Sequence, residues 1–411
     1  MRACGLDFGT SNSTLALADA TGARLLPVEG AEVTLPTAVF WPEDGTPSFG
    51  RAAIADYIEG EDGRLMRGLK STLGSSLIGE RTRVGARAVS FREVIARFVG
   101  HLRARLPAPL PAVVMGRPVH FVDDDAAADA RAEAVLAEIA RECGFSEVGF
   151  QYEPIAAALQ YEAGVTDEEL VLVVDIGGGT SDVSLVRVGP ARRTAPDRAA
   201  DILGSGGIRV GGTDFDRLLS LAAALPHLGF GATTRGGSGI MPRHYFLDLA
   251  TWHRINGLYT RAVQTDLKAL RHTADRPELI DRLLQVIDTR QGHALAMEVE
   301  RAKIALSAAA VDRLQLSRLC AAPNPLARRE EFEAAIAAPL ARIAALIAQV
   351  MADAGVGADR IGTVFLTGGS SRLPALRALV ADQLPGARLA SGDDLGSVGA
   401  GLALEARRRF G

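Results

Sequence analysis

The sequence has few cysteines and lysines, and it has no long uninterrupted hydrophobic run. Its three cysteines, Cys4, Cys143 and Cys320, form neither a disulfide framework nor a CxxC pair. We therefore expect unpaired, buried thiols in a reducing, cytoplasmic compartment. The most apolar stretch, AAIAAPLARIAALIAQVM, is interrupted by Pro339 and Arg342, so it predicts an amphipathic helix rather than a membrane span. The N-terminus shows no basic segment followed by an apolar one, and no secretory signal is predicted.

Lysine is almost entirely replaced by arginine. Among the 45 Lys and Arg residues, only Lys70, Lys268 and Lys303 are lysines. A compact ammonium and a planar guanidinium are not interchangeable at a tight site, so each remaining lysine is a candidate functional residue. The net charge of −4 argues against a nucleic-acid partner. The length of 411 residues, with 48% hydrophobic composition, predicts two lobes rather than a single core.

One segment, VLVVDIGGGTSDVSLVRV at Val171–Val188, predicts a β-hairpin with an unusual turn. A first strand ends at Asp175 and a second begins near Asp182. The turn holds three consecutive glycines, Gly177, Gly178 and Gly179. We expect these glycines to adopt φ > 0 and to present backbone N–H groups to phosphate oxygens. A Walker A loop would need a GK[ST] ending, and both it and a Rossmann loop would need a following helix, so neither is favoured.

The same arrangement occurs near the N-terminus, in CGLDFGTSNSTLAL at Cys4–Leu17. Two such hairpins facing each other could hold the phosphates of one nucleotide, with Asp7 and Asp175 binding a hydrated Mg²⁺. A single Asp-Gly turn is common and carries little information. The pair is more specific, because a hydroxyl residue, Thr10 or Thr180, follows the glycine in each.

The two hairpins resemble the phosphate 1 and phosphate 2 motifs of the actin, sugar-kinase and Hsp70 ATPase superfamily. Further segments resemble Hsp70 proteins in the same order along the chain. These segments are YEPIAAAL at Tyr152–Leu159, VGGTDFDRLL at Val210–Leu219, EVERAKIALS at Glu298–Ser307, VFLTGGSSRLPAL at Val364–Leu376 and DDLGSVGAGLAL at Asp393–Leu404. ERAKIALS is the most specific to Hsp70, since actins and sugar kinases do not share it. The resemblance implies an α/β actin-like ATPase (ribonuclease H-like) fold with two lobes around a nucleotide cleft.

The resemblance also implies a domain organisation. The expected parts are lobe I at residues 1–170, lobe II at 171–395 with an extra helical element at about 230–295, and a C-terminal helix at 396–411 that returns to lobe I. In the extra element, apolar residues at spacing three predict a packing stripe. They are Phe246, Leu249, Trp252 and Ile255. The printed sequence ends soon after the resemblance does, so we expect no β-sandwich peptide-binding domain. The pattern most resembles stand-alone bacterial Hsp70-like proteins of the YegD type.

The resemblance implies a set of site residues, of which Lys70 would face the γ-phosphate. The implied catalytic residues are Lys70, Glu153, Asp175, Thr180 and Asp182. The implied nucleotide-binding residues are Asp7, Gly9, Thr10, Ser11, Asn12, Gly177, Gly178, Gly179, Gly211, Gly212, Glu300, Lys303, Ser307, Gly368, Gly369, Ser370, Arg372 and Asp393. Asp7 and Asp175 would hold Mg²⁺ through water.

Several of these residues also allow an ordinary structural interpretation. Glu300, Lys303 and Ser307 share one helical face, which could bind a ribose and a purine edge or could simply be solvated. Glu153 precedes a proline at a helix start, where an acidic residue is favoured in any case. Asp393 could equally be a helix N-cap.

The predicted function is ATP or ADP binding with Mg²⁺, with K⁺ as a further candidate ion, and slow hydrolysis of ATP to ADP and phosphate. The expected partners are the nucleotide and an unidentified protein client in the bacterial cytoplasm, with no nucleic acid and no membrane. One alternative is a switch that binds ATP without hydrolysing it. Another is a small-molecule or sugar kinase, although the sequence reveals neither an acceptor-activating aspartate nor a sugar pocket.

Overall fold

The computed structural model describes residues 2–122, 125–193, 195, 197–236, 239–391 and 396–411. By its internal contacts, the chain divides into two compact units. Unit 1 comprises Met1–Arg209, Ala344–Ser371 and Val380–Gly411, and unit 2 comprises Val210–Ile343 and Arg372–Leu379. Both predicted hairpins lie in unit 1.

Strands and helices are mixed along the chain, as expected for an α/β fold, but they do not alternate strictly. The strands are β1 (Ala3–Phe8), β2 (Asn12–Asp19), β3 (Gly22–Leu25), β4 (Thr34–Pro36), β5 (Ala38–Pro42), β6 (Ser48–Phe49), β7 (Gly63–Arg67), β8 (Arg81–Val84), β9 (Arg87–Ser90), β10 (Ala112–Arg117), β11 (Glu147–Tyr152), β12 (Glu169–Ile176), β13 (Ser181–Val188), β14 (Ile202–Ile208), β15 (Val311–Arg313), β16 (Leu326–Arg328), β17 (Ile361–Thr367) and β18 (Arg388–Ser391). The helices are α1 (Gly50–Glu59), α2 (Phe91–Arg103), α3 (Ala126–Glu142), α4 (Glu153–Glu162), α5 (Gly212–Leu219), α6 (His244–Leu249), α7 (Arg261–Thr273), α8 (Pro277–Asp288), α9 (Gly292–Ala308), α10 (Arg329–Ala335), α11 (Ala337–Asp353), α12 (Pro374–Gln383) and α13 (Ser397–Phe410).

The two large sheets of unit 1 share one topology. The first has the order β11-β10-β1-β2-β3, with β4 also paired to β2, and the second has the order β14-β13-β12-β17-β18. In each sheet the central strand, β1 or β12, pairs antiparallel with the strand that follows it and parallel with a strand from later in the chain. The same arrangement therefore occurs twice, and it places the hairpins β1–β2 and β12–β13 at equivalent positions. Both predicted hairpins are confirmed.

Two helices, α4 and α13, pack against these sheets. Ile155 and Ala158 of α4 are buried in a cluster with residues of β12 and β13, while Ala156 is buried with Leu402 of α13 and residues of β1 and β10. The two helices cross closely, because a Cβ atom at Gly401 would lie 1.8 Å from the carbonyl oxygen of Ala156. Only glycine allows this separation, so Gly401 fixes how α13 packs on α4.

The described part of residues 230–295, in unit 2, contains α6, a 3₁₀ segment at Trp252–Tyr259, α7 and α8. Phe246, Leu249 and Ile255 are buried. The ring of Trp252 lies edge-on to His293, with ring centroids 4.7 Å apart. The stripe of apolar residues thus packs inside unit 2.

In the described parts of the chain, no single helix is long and apolar enough to cross a membrane. The pair α10 and α11 reaches the required length and hydropathy only when taken together, and the two helices are bent by 59° at the break between them.

Candidate functional site

The turns of the two hairpins meet in unit 1. A Cβ atom at Gly178 would lie 2.4 Å from Ser11 Oγ, so the tip of one hairpin contacts the tip of the other. The first turn is held by Thr37, whose hydroxyl donates a hydrogen bond to the carbonyl of Gly9 (2.8 Å) and whose N–H donates to the carbonyl of Ser11 (2.8 Å). The first turn is therefore held by a residue outside the hairpin as well as by its own sequence.

The expectation that the three turn glycines adopt φ > 0 is wrong, since none of Gly177, Gly178 and Gly179 lies in the left-handed region. The turn is instead closed by a hydrogen bond from the N–H of Gly177 to the carbonyl of Thr180 (2.9 Å). Gly178 leaves room for Ser11, since a Cβ there would lie 2.4 Å from Ser11 Oγ and 3.2 Å from Ser11 Cβ. At Gly179, no described atom beyond the chain neighbours would lie within 4 Å of a Cβ.

One glycine of the site that is left-handed is Gly368, with φ +83°, in the turn after β17. A Cβ atom there would lie 2.4 Å from the carbonyl oxygen of Ile176 and 2.6 Å from Asp175 Oδ1. The parallel pairing of β12 and β17 also places Thr367 beside Asp175. The predicted strand–GG–helix turn is confirmed, with Gly369 opening a 3₁₀ turn, and its first glycine packs directly against the second hairpin.

The ammonium of Lys70 lies close to the carboxylates of Glu153, Asp7 and Asp182. Lys70 is only 7% exposed, and it belongs to a short 3₁₀ turn, Leu69–Thr72, that follows Gly68. Its Nζ donates a hydrogen bond to Oε1 of Glu153, the first residue of α4, and forms an ion pair with it. The alternative of a surface lysine is therefore excluded for Lys70, while Lys268 is exposed.

Burial and neighbouring carboxylates together set the electrostatics of the cluster. Burial, with Glu153 as the second cause, raises the pKa of Asp7 to about 7, although Lys70 opposes the shift. Burial, followed by the charges of Asp182 and Glu153, raises the pKa of Asp175 to about 8. Burial alone would lower the pKa of Lys70, but the surrounding carboxylates outweigh it and the pKa is raised. One ammonium thus faces four carboxylates.

Four of these groups, Lys70, Glu153, Asp175 and Asp182, line one cavity of about 300 Å³ in unit 1. All five predicted catalytic residues, Lys70, Glu153, Asp175, Thr180 and Asp182, contribute to its wall, together with Thr10. Two further segments of the cavity wall were not predicted from the sequence, Pro118–Phe121 after β10 and Ser205–Arg209 at the end of β14. An Arg-Pro pair directly after the apolar strand, in AVVMGRP, could have drawn attention to the first of them.

The predicted nucleoside-contacting residues of unit 2 have different environments. The side chain of Lys303 is buried, its Nζ lies 2.8 Å from Asp216 Oδ1, and it donates a hydrogen bond to the carbonyl of Gly212 at 3.3 Å. Glu300 is exposed, and Ser307 is half-buried with its hydroxyl donating to the carbonyl of Lys303 (3.4 Å). Of these three residues, Lys303 is therefore the one whose side chain is buried and held by an ion pair.

Asp216 was missed, although it lies one turn into the helix that starts at the GG of GGTDFDRL. Gly211 precedes this helix, and its N–H donates to Asp214 Oδ2 (3.1 Å). Arg372 is exposed in unit 2, and Ser370 is buried in unit 1. The predicted ribose-side residue Asp393 lies outside the described residues.

The donor set fits a hydrated Mg²⁺. The described residues contain no cluster of three or more His, Cys, Asp or Glu side chains that could hold a metal directly. Mg²⁺ usually keeps several waters and needs only one or two carboxylates. Asp7 and Asp175 provide two. Their pKa values are raised first by burial and then by neighbouring carboxylates, and a divalent cation would offset that repulsion.

Comparison with known proteins identifies the fold. Residues 269–405 match the family model for Hsp70 protein, and residues 90–221 match that for MreB/Mbl protein. The chain is 26% identical over 400 residues to a chaperone protein HscA homolog of Methylibium petroleiphilum, covering 92% of this chain and 53% of that protein. The chain thus spans about half the length of this curated relative. The fold is the actin-like ATPase fold, and the predicted fold class is confirmed.

Proposed function

We propose that this chain binds ATP with Mg²⁺ at the two hairpin turns of unit 1 and hydrolyses it to ADP and phosphate, as an Hsp70-like ATPase. The observation that carries the proposal is the cavity in which the five predicted catalytic residues meet, with Lys70 paired to Glu153. The similarity to Hsp70 and HscA sequences also supports an ATPase function.

The proposed roles follow from the chemistry of each group. Thr10 and Thr180 donate hydrogen bonds from their hydroxyls to phosphate oxygens. Lys70 places its ammonium against the γ-phosphate and offsets charge that develops there during transfer. Asp7 and Asp175 would hold Mg²⁺ through water, and the ion would neutralise phosphate charge.

Glu153 has two roles in this proposal. Its carboxylate fixes the direction of the Lys70 side chain, because the two groups are ion-paired. One of its oxygens accepts a hydrogen bond from the water that attacks the γ-phosphate, with Asp182 as a second acceptor on the wall of the same cavity. Removing the acceptor oxygens is therefore expected to slow the chemical step more than it weakens nucleotide binding.

The nucleoside contacts predicted in unit 2 are part of the proposal, and so is the predicted division into lobes at residue 170. Within unit 2, support comes from Lys303, whose burial and pairing with Asp216 give it a fixed position. In unit 1, the tight packing of Gly368 on Asp175 supports a backbone turn placed close to the phosphates.

The proposal also includes a chaperone-like role with a protein client, a likeness to YegD-type proteins and a cytoplasmic location. The chaperone-like role is supported by the name of the HscA relative. For the location, the support is that all three cysteines are free, as is usual in a reducing compartment.

The test is single-turnover hydrolysis of ATP with Mg²⁺ by the purified chain, without any added acceptor. We expect Lys70→Ala to lower the rate about a hundredfold, whereas Lys268→Ala, which removes an exposed lysine, should leave it unchanged. Tight ATP binding without turnover in the parent protein would overturn the ATPase assignment in favour of the switch. Turnover only after addition of a hydroxyl acceptor would favour the kinase.

A further inference from the structure

Arg117, the last residue of β10, forms ion pairs and also stacks on aromatic rings. Its side chain is 12% exposed, and its Nη2 lies 2.6 Å from Asp129 Oδ2 while Nη1 pairs with Glu133, both on α3. Its guanidinium lies over the ring of Tyr152 at 5.0 Å and over that of Phe121 at 5.4 Å. Planar stacking and a forked donor set are features that lysine could not reproduce.

These contacts hold the first wall segment of the cavity, Pro118–Phe121. Arg117 Nε donates to the carbonyl of Pro118 (3.1 Å), and Nη2 donates to that of Val119 (3.2 Å). At the other end of the segment, the N–H of Phe121 donates to Asp129 Oδ1 at 2.5 Å. One Arg–Asp pair therefore fixes both ends of a segment that lines the cavity.

Arg117 also lies close in the structure to the start of α4, where Glu153 is the first residue. In the pairing of β10 with β11, Arg117 lies opposite Tyr152, the residue immediately before Glu153. Its neighbour Gly116 leaves room for the Glu153 side chain, since a Cβ there would lie 3.1 Å from Glu153 Cγ and 3.3 Å from Oε1. A shift of Arg117 would move the start of α4, and with it the partner of Lys70.

We propose that Arg117 is a positioning residue for hydrolysis, which holds the Pro118–Phe121 wall and the Glu153 carboxylate in fixed relation at the cavity. The inference rests on the proposed ATPase function and adds to it a residue that does not itself contact the nucleotide. Displacements of about 1 Å at a catalytic group can cost a hundredfold in rate. The effect should therefore fall on the chemical step and not on binding.

The experiment compares Arg117→Met and Arg117→Lys with Arg92→Met. Arg92 also bridges to α3, through two hydrogen bonds to Glu142 at 2.6 and 2.8 Å, but it is not part of the cavity wall. For each folded variant, the single-turnover rate at saturating Mg²⁺-ATP and the Kd for ATP are measured separately.

We expect the rate to fall at least about tenfold in both Arg117 variants, with Kd changed less than about threefold, and both quantities to stay unchanged in Arg92→Met. In a Glu153→Gln background, Arg117→Met should cost less than about twofold, because the group it positions has already been disabled. That loss of effect distinguishes positioning from a general loss of stability.

An unchanged rate in Arg117→Met, or an equal cost in both backgrounds, would overturn the inference while leaving the ATPase function intact. Absence of hydrolysis by the parent protein would overturn the proposed function itself, and the inference with it. Measuring hydrolysis by the parent protein therefore distinguishes a wrong inference about Arg117 from a wrong assignment of the ATPase function.

Discussion

Lys70 and Glu153, which are 83 residues apart in the sequence, form an ion pair in which the ammonium donates a hydrogen bond to the carboxylate. The pair brings a 3₁₀ turn to the first residue of α4, at the wall of the cavity that also contains Asp175 and Asp182. A buried ion pair by itself does little for stability, because desolvation offsets the attraction. Its position beside the two hairpins is what connects it to phosphate chemistry.

Glu153→Gln should destabilise the protein by about 1 to 3 kcal/mol, because the buried Lys70 ammonium exchanges a charged carboxylate acceptor for a neutral amide oxygen. The measurement is the free energy of unfolding in urea. The matched control is Glu142→Gln, which breaks an exposed pair with Arg92 and should cost no more than about 1 kcal/mol. Equal stabilities of Glu153→Gln and the parent would contradict the pairing.

The stability of the Mg²⁺-free protein should depend on Asp175 at neutral pH. Its raised pKa of about 8 means that the folded state binds more protons than the unfolded state between about pH 4 and pH 8. The contribution of this group to the free energy of unfolding therefore falls as the pH rises through that window.

Asp175→Asn removes this dependence. At pH 8 the variant should be more stable than the parent by at least about 1.4 kcal/mol, the equivalent of one pKa unit, and at pH 4 the difference should fall below about 1 kcal/mol. Urea unfolding at both pH values in the presence of a chelator checks this. A variant less stable than the parent at pH 8 would show that the carboxylate is not held in a buried, negatively charged cluster.

Gly178→Ala should weaken ATP binding up to about tenfold, because the added Cβ would lie 2.4 Å from Ser11 Oγ and 3.2 Å from Ser11 Cβ, so that the two turns must shift apart even if the hydroxyl rotates away. Gly179→Ala, where the added Cβ meets nothing within 4 Å, is the control and should leave the affinity within about threefold of the parent. Calorimetric titration with Mg²⁺-ATP measures both. In a Ser11→Gly background, Gly178→Ala should cost little further affinity, and an equal cost in both backgrounds would count against steric separation as the cause.

Lys303→Met should lower the affinity for ATP and ADP by similar factors, about tenfold, without changing the single-turnover rate at saturation. The reason is that a group binding the nucleoside part contributes equally to the ground state and the transition state. Lys268→Met, at an exposed position, is the control. A reduced rate at saturation would move Lys303 from nucleoside binding to catalysis.

The sequence predicted the hairpins well, because Asp-Gly-hydroxyl turns between alternating strands are a local signal that needs no tertiary information. It also predicted that Lys70 and Glu153 would share a site with Asp175, although this came from the resemblance and not from spacing. Residues that lie 83 positions apart carry no local sign that they will pair.

Other features depended on tertiary contacts and could not be predicted. The turn glycines were expected to be left-handed, yet the requirement at Gly178 comes from Ser11 on the other hairpin. Asp216 as the partner of Lys303 and Arg117 as the support of the cavity wall follow from packing of segments that are distant in sequence. A pattern within one segment does not encode such contacts.

The most direct test of the account is a calorimetric titration of the purified chain with ATP, with and without Mg²⁺, beside the variant Asp7→Asn/Asp175→Asn. We expect one ATP to bind per chain, with an affinity that falls at least about tenfold when Mg²⁺ is removed and that in the variant no longer depends on Mg²⁺. Binding by the folded parent that is indifferent to Mg²⁺ and to both substitutions, or no binding at all, would contradict the assignment of the two hairpins as a metal–phosphate site.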